Sequence, residues 1–215
     1  MCVIQCGNKI QNLLDATRSL DFLAPLALRL FLAPIFVLAG WHKLQNFSGT
    51  VEWMGDPEFG LGLPLPWLMA FLAISAELIG GICLVLGLAV RWMVIPMMIT
   101  MIVAATTVHW ENGWFAIAST DGETSIASLL EPMGFPGAKE SLTNGDAVRE
   151  RLDRAEELLQ QYGDYDWITE KGPLVVLNNG IEFATTYFIM LLVLFFTGAG
   201  RWVSLDYWIH RVFRR

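Results

Sequence analysis

Charge is what this chain has least of. Asp, Glu, Lys and Arg together make up 16% of its 215 residues, where a soluble domain of this size carries about 25%. Hydrophobic residues make up 54% and the mean hydropathy is +0.48, with the apolar positions gathered in long runs. That balance excludes an ordinary soluble enzyme and describes an integral membrane protein whose first partner is the lipid bilayer. No basic stripe is present, which removes nucleic acid from the partners. Cysteine is scarce as well: Cys2, Cys6 and Cys83 make no disulfide framework. A minor thiol or metal role for the Cys2/Cys6 pair is the alternative to no role at all. The chain has no Walker motif, dinucleotide fingerprint, Cys-x-x-Cys pair or nucleophile elbow. Any chemistry must come from side chains inside a helical bundle.

What is present is a set of spans. Residues 67–88 hold about 22 residues, enough for a helix to cross a ~30 Å hydrocarbon layer, with Glu77 as the single charge near the centre. Apolar runs at about 22–40, 92–110 and 174–197 complete four spans. The predicted fold class is therefore an all-α membrane protein, a four-transmembrane-helix bundle forming one domain over 1–215. Arg29 inside the first run argues against a cleaved signal peptide. Residues 41–66 read as an interfacial loop. The third connection, 111–173, is a 63-residue segment with 13 acids against 5 Lys and Arg. Within it, Val148, Leu152, Ala155, Leu158 and Leu159 share one face of a short amphipathic helix predicted over 147–162. Lys9, Arg18, Arg91 and the tail arginines fall on one side of the four-span arrangement, which makes both termini cytoplasmic and the acidic loop external.

Three ionisable residues fall within the spans: Arg29, Glu77 and Glu182. A charge at that depth is costly unless it is paired, hydrated or neutralised. Arg29 and Glu77 lie close enough in depth to form a buried ion pair that fixes register. Two carboxylates then face one guanidinium, and one of them must be protonated, reach water or find a partner near the outer face. Unequal buried carboxylates suit proton exchange with a redox cofactor and also suit a transport path. Asn178, Glu182 and Thr185 form a polar stripe on the fourth span, and the outer interface adds His42, Lys43 and His109. The two histidines can converge there, as binding residues or as interfacial hydrogen-bonders. No ligand spacing demands a metal. Met93, Met97 and Met101 make a helical stripe that reads as flexible core packing.

These residues resemble the DoxX family of small four-helix membrane proteins. The likeness runs through Leu28-Arg29-Leu30, Ala39-Gly40-Trp41-His42-Lys43, Glu77-Leu78-Ile79-Gly80-Gly81, Leu86-Gly87-Leu88 and His109. It continues through Asn178-Asn179-Gly180-Ile181-Glu182, Gly198-Ala199-Gly200-Arg201 and Ser204-Leu205-Asp206. The long acidic connection resembles the HvfX-type branch, associated with copper-binding modified peptides. The resemblance implies a bacterial inner-membrane location and quinone-linked redox chemistry, with a subunit of a quinone-dependent oxidoreductase as one form of it. Under it, Glu77 or Glu182 handles a proton, Arg29 holds the partner charge, and His42, Lys43, His109 or Asn178 contacts substrate or head group. The rival reading is a non-enzymatic anchor or carrier for a copper-binding or thiol-rich secreted peptide. Either accommodates a redox partner subunit or a homo-oligomer.

Overall fold

Long apolar runs with few breakers leave the backbone one way to satisfy its polar groups in lipid, which is helix. The computed structural model describes residues 14–118 and 125–213, with Asn8, Gln11 and Asn12; Cys2 and Cys6 lie outside the described residues. In chain order the helices are α1 (Leu23–Gln45), α2 (Phe47–Gly55), α3 (Pro66–Leu86), α4 (Val90–Val103), α5 (Ile126–Leu130), α6 (Ala138–Tyr162), α7 (Tyr165–Thr169), α8 (Glu182–Thr197) and α9 (Leu205–Phe213). A π-helical turn, Ala104–His109, and a 3-10 turn, Trp110–Asn112, prolong α4. Among the described residues no strand forms beyond one isolated bridge, Ile117 with Leu177. Three helices are long and apolar enough to cross a membrane: Leu23–Gln45, Pro66–Leu86 and Val90–Asn112. α8 is apolar too but has 16 residues, about 24 Å of helix.

The chain divides into two compact units, residues 1–100 with 188–215, and residues 101–187. In the first, α1 and α3 run antiparallel and pack along their length. Small residues bring them together. A methyl group on Gly40 would stand 3.0 Å from Glu77 Cβ, and one on Gly81 would stand 2.7 Å from Val37 Cγ2. Close approach through glycine is the usual membrane solution, because lipid offers no hydrophobic drive for helices to associate. Arg29, Leu32, Ala33, Phe36 and Gly40 form the buried stripe of α1. Met97, fully buried, fills the space over Gly80.

One end of this unit is tied by polar groups. The Asp206 carboxylate accepts from the amides of Ala89 (2.6 Å) and Val90 (3.0 Å), capping α4 from a residue 116 positions away. The Asp206 amide in turn donates to the Gly87 carbonyl at 2.9 Å. Gly87 ends α3 in the left-handed region, φ +63°, and a Cβ there would sit 2.6 Å from Ser204 Cβ and 2.7 Å from Arg29 Cζ. Gly87→Ala should therefore lower the stability of the purified protein by about 2 kcal/mol, from backbone strain and overpacking together. The SDS-unfolding midpoint in detergent measures it.

The second unit corrects the fourth predicted span. Residues 176–182 are not helical at their start but lie beside 113–118, with Asn178 N donating to Ala116 O (2.9 Å), Ile181 N to Gly113 O (2.9 Å) and Glu182 N to Trp114 O (2.9 Å). Asn179 at φ +56° and the backbone pairing itself keep this stretch out of the helix, so α8 begins at Glu182 rather than near 174. The acidic connection is helical from Ala138, nine residues before the predicted start. It buries Ala138, Ser141 and Gly145 in its first turns, while Leu158, expected to face inward, is 44% exposed.

Candidate functional site

The expected partner of Glu77 is not Arg29. Lys43 donates to both Glu77 oxygens, at 2.5 and 2.6 Å. The carboxylate side chain is 6% exposed and the lysine 31%. The difference arises from the length of α1. The sequence reading ended the first helix at Gly40, but it continues to Gln45 and carries Lys43 one turn beyond Gly40 on the buried stripe. Arg29 lies 14 residues earlier, about 21 Å along the axis, and α3 runs the other way, so its level is that of Leu84 and not of Glu77. A signal for this existed: Lys43 extends the 29, 32/33, 36, 40 spacing by one further step.

Arg29, 1% exposed, spends its guanidinium on carbonyl oxygens. Nε donates to Leu84 O (2.7 Å), Nη2 to Val85 O (3.0 Å), and Nη1 to Ala199 O (2.7 Å) and Val203 O (3.0 Å). Leu84 and Val85 are among the last carbonyls of α3, which no further turn of helix satisfies. Arg29 is thus a C-terminal cap whose positive charge also meets the negative end of the helix dipole. It closes the end of the unit where α3 and the chain after α8 meet, and holds no acid.

The remaining candidates separate. His42 is exposed on α1 beside Lys43. His109, Asn178 and Glu182 belong to the second unit, and there Asn178 and Glu182 serve the loop. Glu182 Oε2 accepts from Ala116 N at 2.9 Å, and a carboxylate in the first turn of α8 suits the dipole there. Asn178 donates to Phe115 O (3.1 Å) and Asn112 O and accepts from Asn144, which joins α6 to both halves of the paired segment. His109 ends the π-helical turn, and its Nδ1 is buried without a hydrogen-bond partner among the described residues. No three His, Cys, Asp or Glu side chains gather as a metal-ligand group among the described residues. The residue that sequence reasoning passed over is Asp206; its quoted motif carried no role until the turn at Ala89 came beside it.

Chemically, Lys43 and Glu77 form a neutral pair at mid-depth of α3, shielded on the acid side and open on the amine side. Two of the three ammonium protons are engaged by the carboxylate, leaving a third. Such a pair can hold or pass a proton, or donate to a ligand oxygen.

A protein-family model covers this same region. The DoxX family model matches residues 24–110, from α1 to the far end of the third long helix. Putative oxidoreductase CatD of Bacillus subtilis (strain 168) is 30% identical over 125 residues, 53% of this chain and 89% of that protein. Inner membrane protein YphA of Escherichia coli (strain K12) is 36% identical over 63 residues, 29% of this chain and 42% of that protein. No solved structure matches the chain. The matched region carries Arg29, His42, Lys43, Glu77 and His109 and leaves Asn178 and Glu182 beyond it. With nine-tenths of one relative aligned and the family model laid over its three long helices, this chain is a membrane protein that belongs to the DoxX family.

Proposed function

We propose that the protein is a redox-linked component of the bacterial inner membrane, working at the Lys43–Glu77 pair with the quinone pool. One observation carries this reading: a lysine and a carboxylate paired at 2.5 Å inside a span, with the lysine 31% exposed and the acid 6%. The open lysine side leaves the pair reachable by a ligand. The residues suit a quinone, because the third Lys43 proton is free for a carbonyl oxygen and the surrounding helix faces are apolar. A bound quinone would supply two-electron carriage. Lys43 would orient it, Glu77 would hold a proton beside it, and the exposed His42 would face the head-group layer. The relative described as an oxidoreductase supports the same reading, as one subunit of a larger system or by itself.

In this reading α8 serves as a fourth span, completed by the paired segment before it. Both termini are cytoplasmic, because Arg18, Arg91, Arg201 and Arg211 cluster toward the end that Arg29 closes. A second reading, an anchor or carrier for a copper-binding or thiol-rich peptide, is favoured by exposed apolar side chains in the acidic connection: Leu129, Met133, Tyr162 and Trp167.

The test is to purify the full chain in mild detergent, extract bound quinone, and measure quinone-dependent thiol oxidation. Lys43→Gln should lower quinone retention about tenfold, the worth of one charge-assisted hydrogen bond. Absence of quinone and of turnover in the wild-type protein, with function in cells lost on Trp167→Ser instead, would replace the redox reading by the docking one.

A further inference from the structure

The first unit has a second feature that the redox reading does not use. The start of α4, the end of α8 and the face of α9 enclose an open groove of about 830 Å³. Its floor is apolar, with Trp92, Ile95, Phe195 and Phe213, and its polar rim is Arg91 and His210. The groove also contains Asp206, whose two oxygens accept from the Ala89 and Val90 amides at the helix start, which faces its charge toward the α4 backbone. Arg91 is held flat: Nε donates to Phe195 O at 2.8 Å and the guanidinium carbon lies 5.6 Å over the Phe195 ring. Its two terminal amino groups have no hydrogen-bond partner among the described residues. Arg91 is exposed, and a clamped guanidinium with a free fork is a geometry that matches phosphate.

α9 fixes the depth of the groove. Leu205, Trp208, Ile209, Val212 and Phe213 recur at i, i+3, i+4, i+7 and i+8 and are all exposed, between 43% and 79%. A short helix with one apolar face bare and Arg211 and His210 on its other side lies in the membrane interface, at the level of lipid head groups. We infer that this groove binds an anionic phospholipid of the adjacent leaflet, its phosphate on Arg91 and His210 and an acyl chain along Trp92, Ile95 and Phe213. The free Arg91 fork selects an anionic oxygen, with the Asp206 charge turned to the α4 amides, and the apolar floor selects a ligand that carries a chain.

Native mass spectrometry of the full chain, equilibrated with equal amounts of phosphatidylglycerol and phosphatidylcholine in mixed micelles, tests the assignment. The wild-type protein should retain phosphatidylglycerol in preference, and Arg91→Gln should lower that retention about tenfold, the worth of a hydrogen bond to a charged group. Arg91 also bonds to Phe195, so His210→Glu supplies a second variant, which places a negative charge on the rim and should have a loss of the same order. Arg211→Gln, outside the groove, should leave retention within about twofold, as an exposed charge is worth little. Equal retention of the two lipids, or retention unchanged in both Arg91→Gln and His210→Glu, overturns the proposal. Displacement of the lipid by inorganic phosphate alone, or a polypeptide found seated in the groove in its place, overturns it as well.

Discussion

Arg29→Met should destabilise the protein by about 4 kcal/mol or more, without any change in the groups proposed to work on substrate. The methionine keeps much of the volume, so the effect isolates the guanidinium. Four carbonyl oxygens, those of Leu84, Val85, Ala199 and Val203, lose the guanidinium together, and of these Leu84 O keeps another donor, Gly87 N at 3.3 Å. Each orphaned buried acceptor costs roughly 1–3 kcal/mol, with the larger share at the buried bonds to Leu84 and Ala199 and the smaller at the part-buried ones to Val85 and Val203. Some relaxation is expected, since Val203 follows a turn rather than a helix, which keeps the total below the full sum. Arg29→Lys should recover part of the loss. An ammonium retains the charge that faces the end of α3 but brings three donors to four acceptors and lacks the planar fork. The SDS-unfolding midpoint gives the stability, and quinone retention per folded molecule gives the control. Retention should stay constant per folded molecule in Arg29→Lys; a selective loss there would return Arg29 to the working site.

The contrast between Arg29 and Glu77 marks where sequence reasoning stops. Both were legible as buried charges, because an ionisable residue in an apolar run stands out and lipid makes it expensive. The three long helices were legible for the same reason, their apolar length leaving no other structure. Pairing was not legible, because it depends on helix ends, which are set locally. Five extra residues on α1 moved Lys43 from a loop to the buried stripe and took the place assigned to Arg29. The arginine then found carbonyls, which every helix end exposes and no sequence motif announces. Glu182 failed differently. Its apolar neighbours suggested a continuous span, and the competing structure was a backbone pairing with residues 113–118, more than sixty positions away. Asn178-Asn179-Gly180 was the local warning, a cluster suited to a turn rather than a span. Asp206 shows the same limit from the other side: a carboxylate can cap a helix it is not part of, and only the folded chain brings the two together.

For the Lys43–Glu77 pair, stability and function should come apart in a double-mutant cycle. Lys43→Met leaves a carboxylate that is 6% exposed with no counter-charge, and removing one half of a buried pair costs about 3–5 kcal/mol. Glu77→Gln should cost less, about 1 kcal/mol, because Lys43 is 31% exposed and can carry its ammonium toward the interface. The double variant Lys43→Met/Glu77→Gln removes both charges and should regain most of the stability lost in Lys43→Met, since a neutral packed pair often matches or exceeds a buried salt bridge. The coupling energy, read from the four SDS-unfolding midpoints, should be about 2 kcal/mol or more, well above what separated sites show. A register-fixing ion pair predicts that quinone retention and turnover return with stability in the double variant. A working pair predicts that they do not: the chain is folded again, yet the donor for a carbonyl oxygen and the carboxylate beside it are both gone. Full recovery of retention and turnover in that variant would reduce Lys43 and Glu77 to structure, and the open side of the lysine would then need another account.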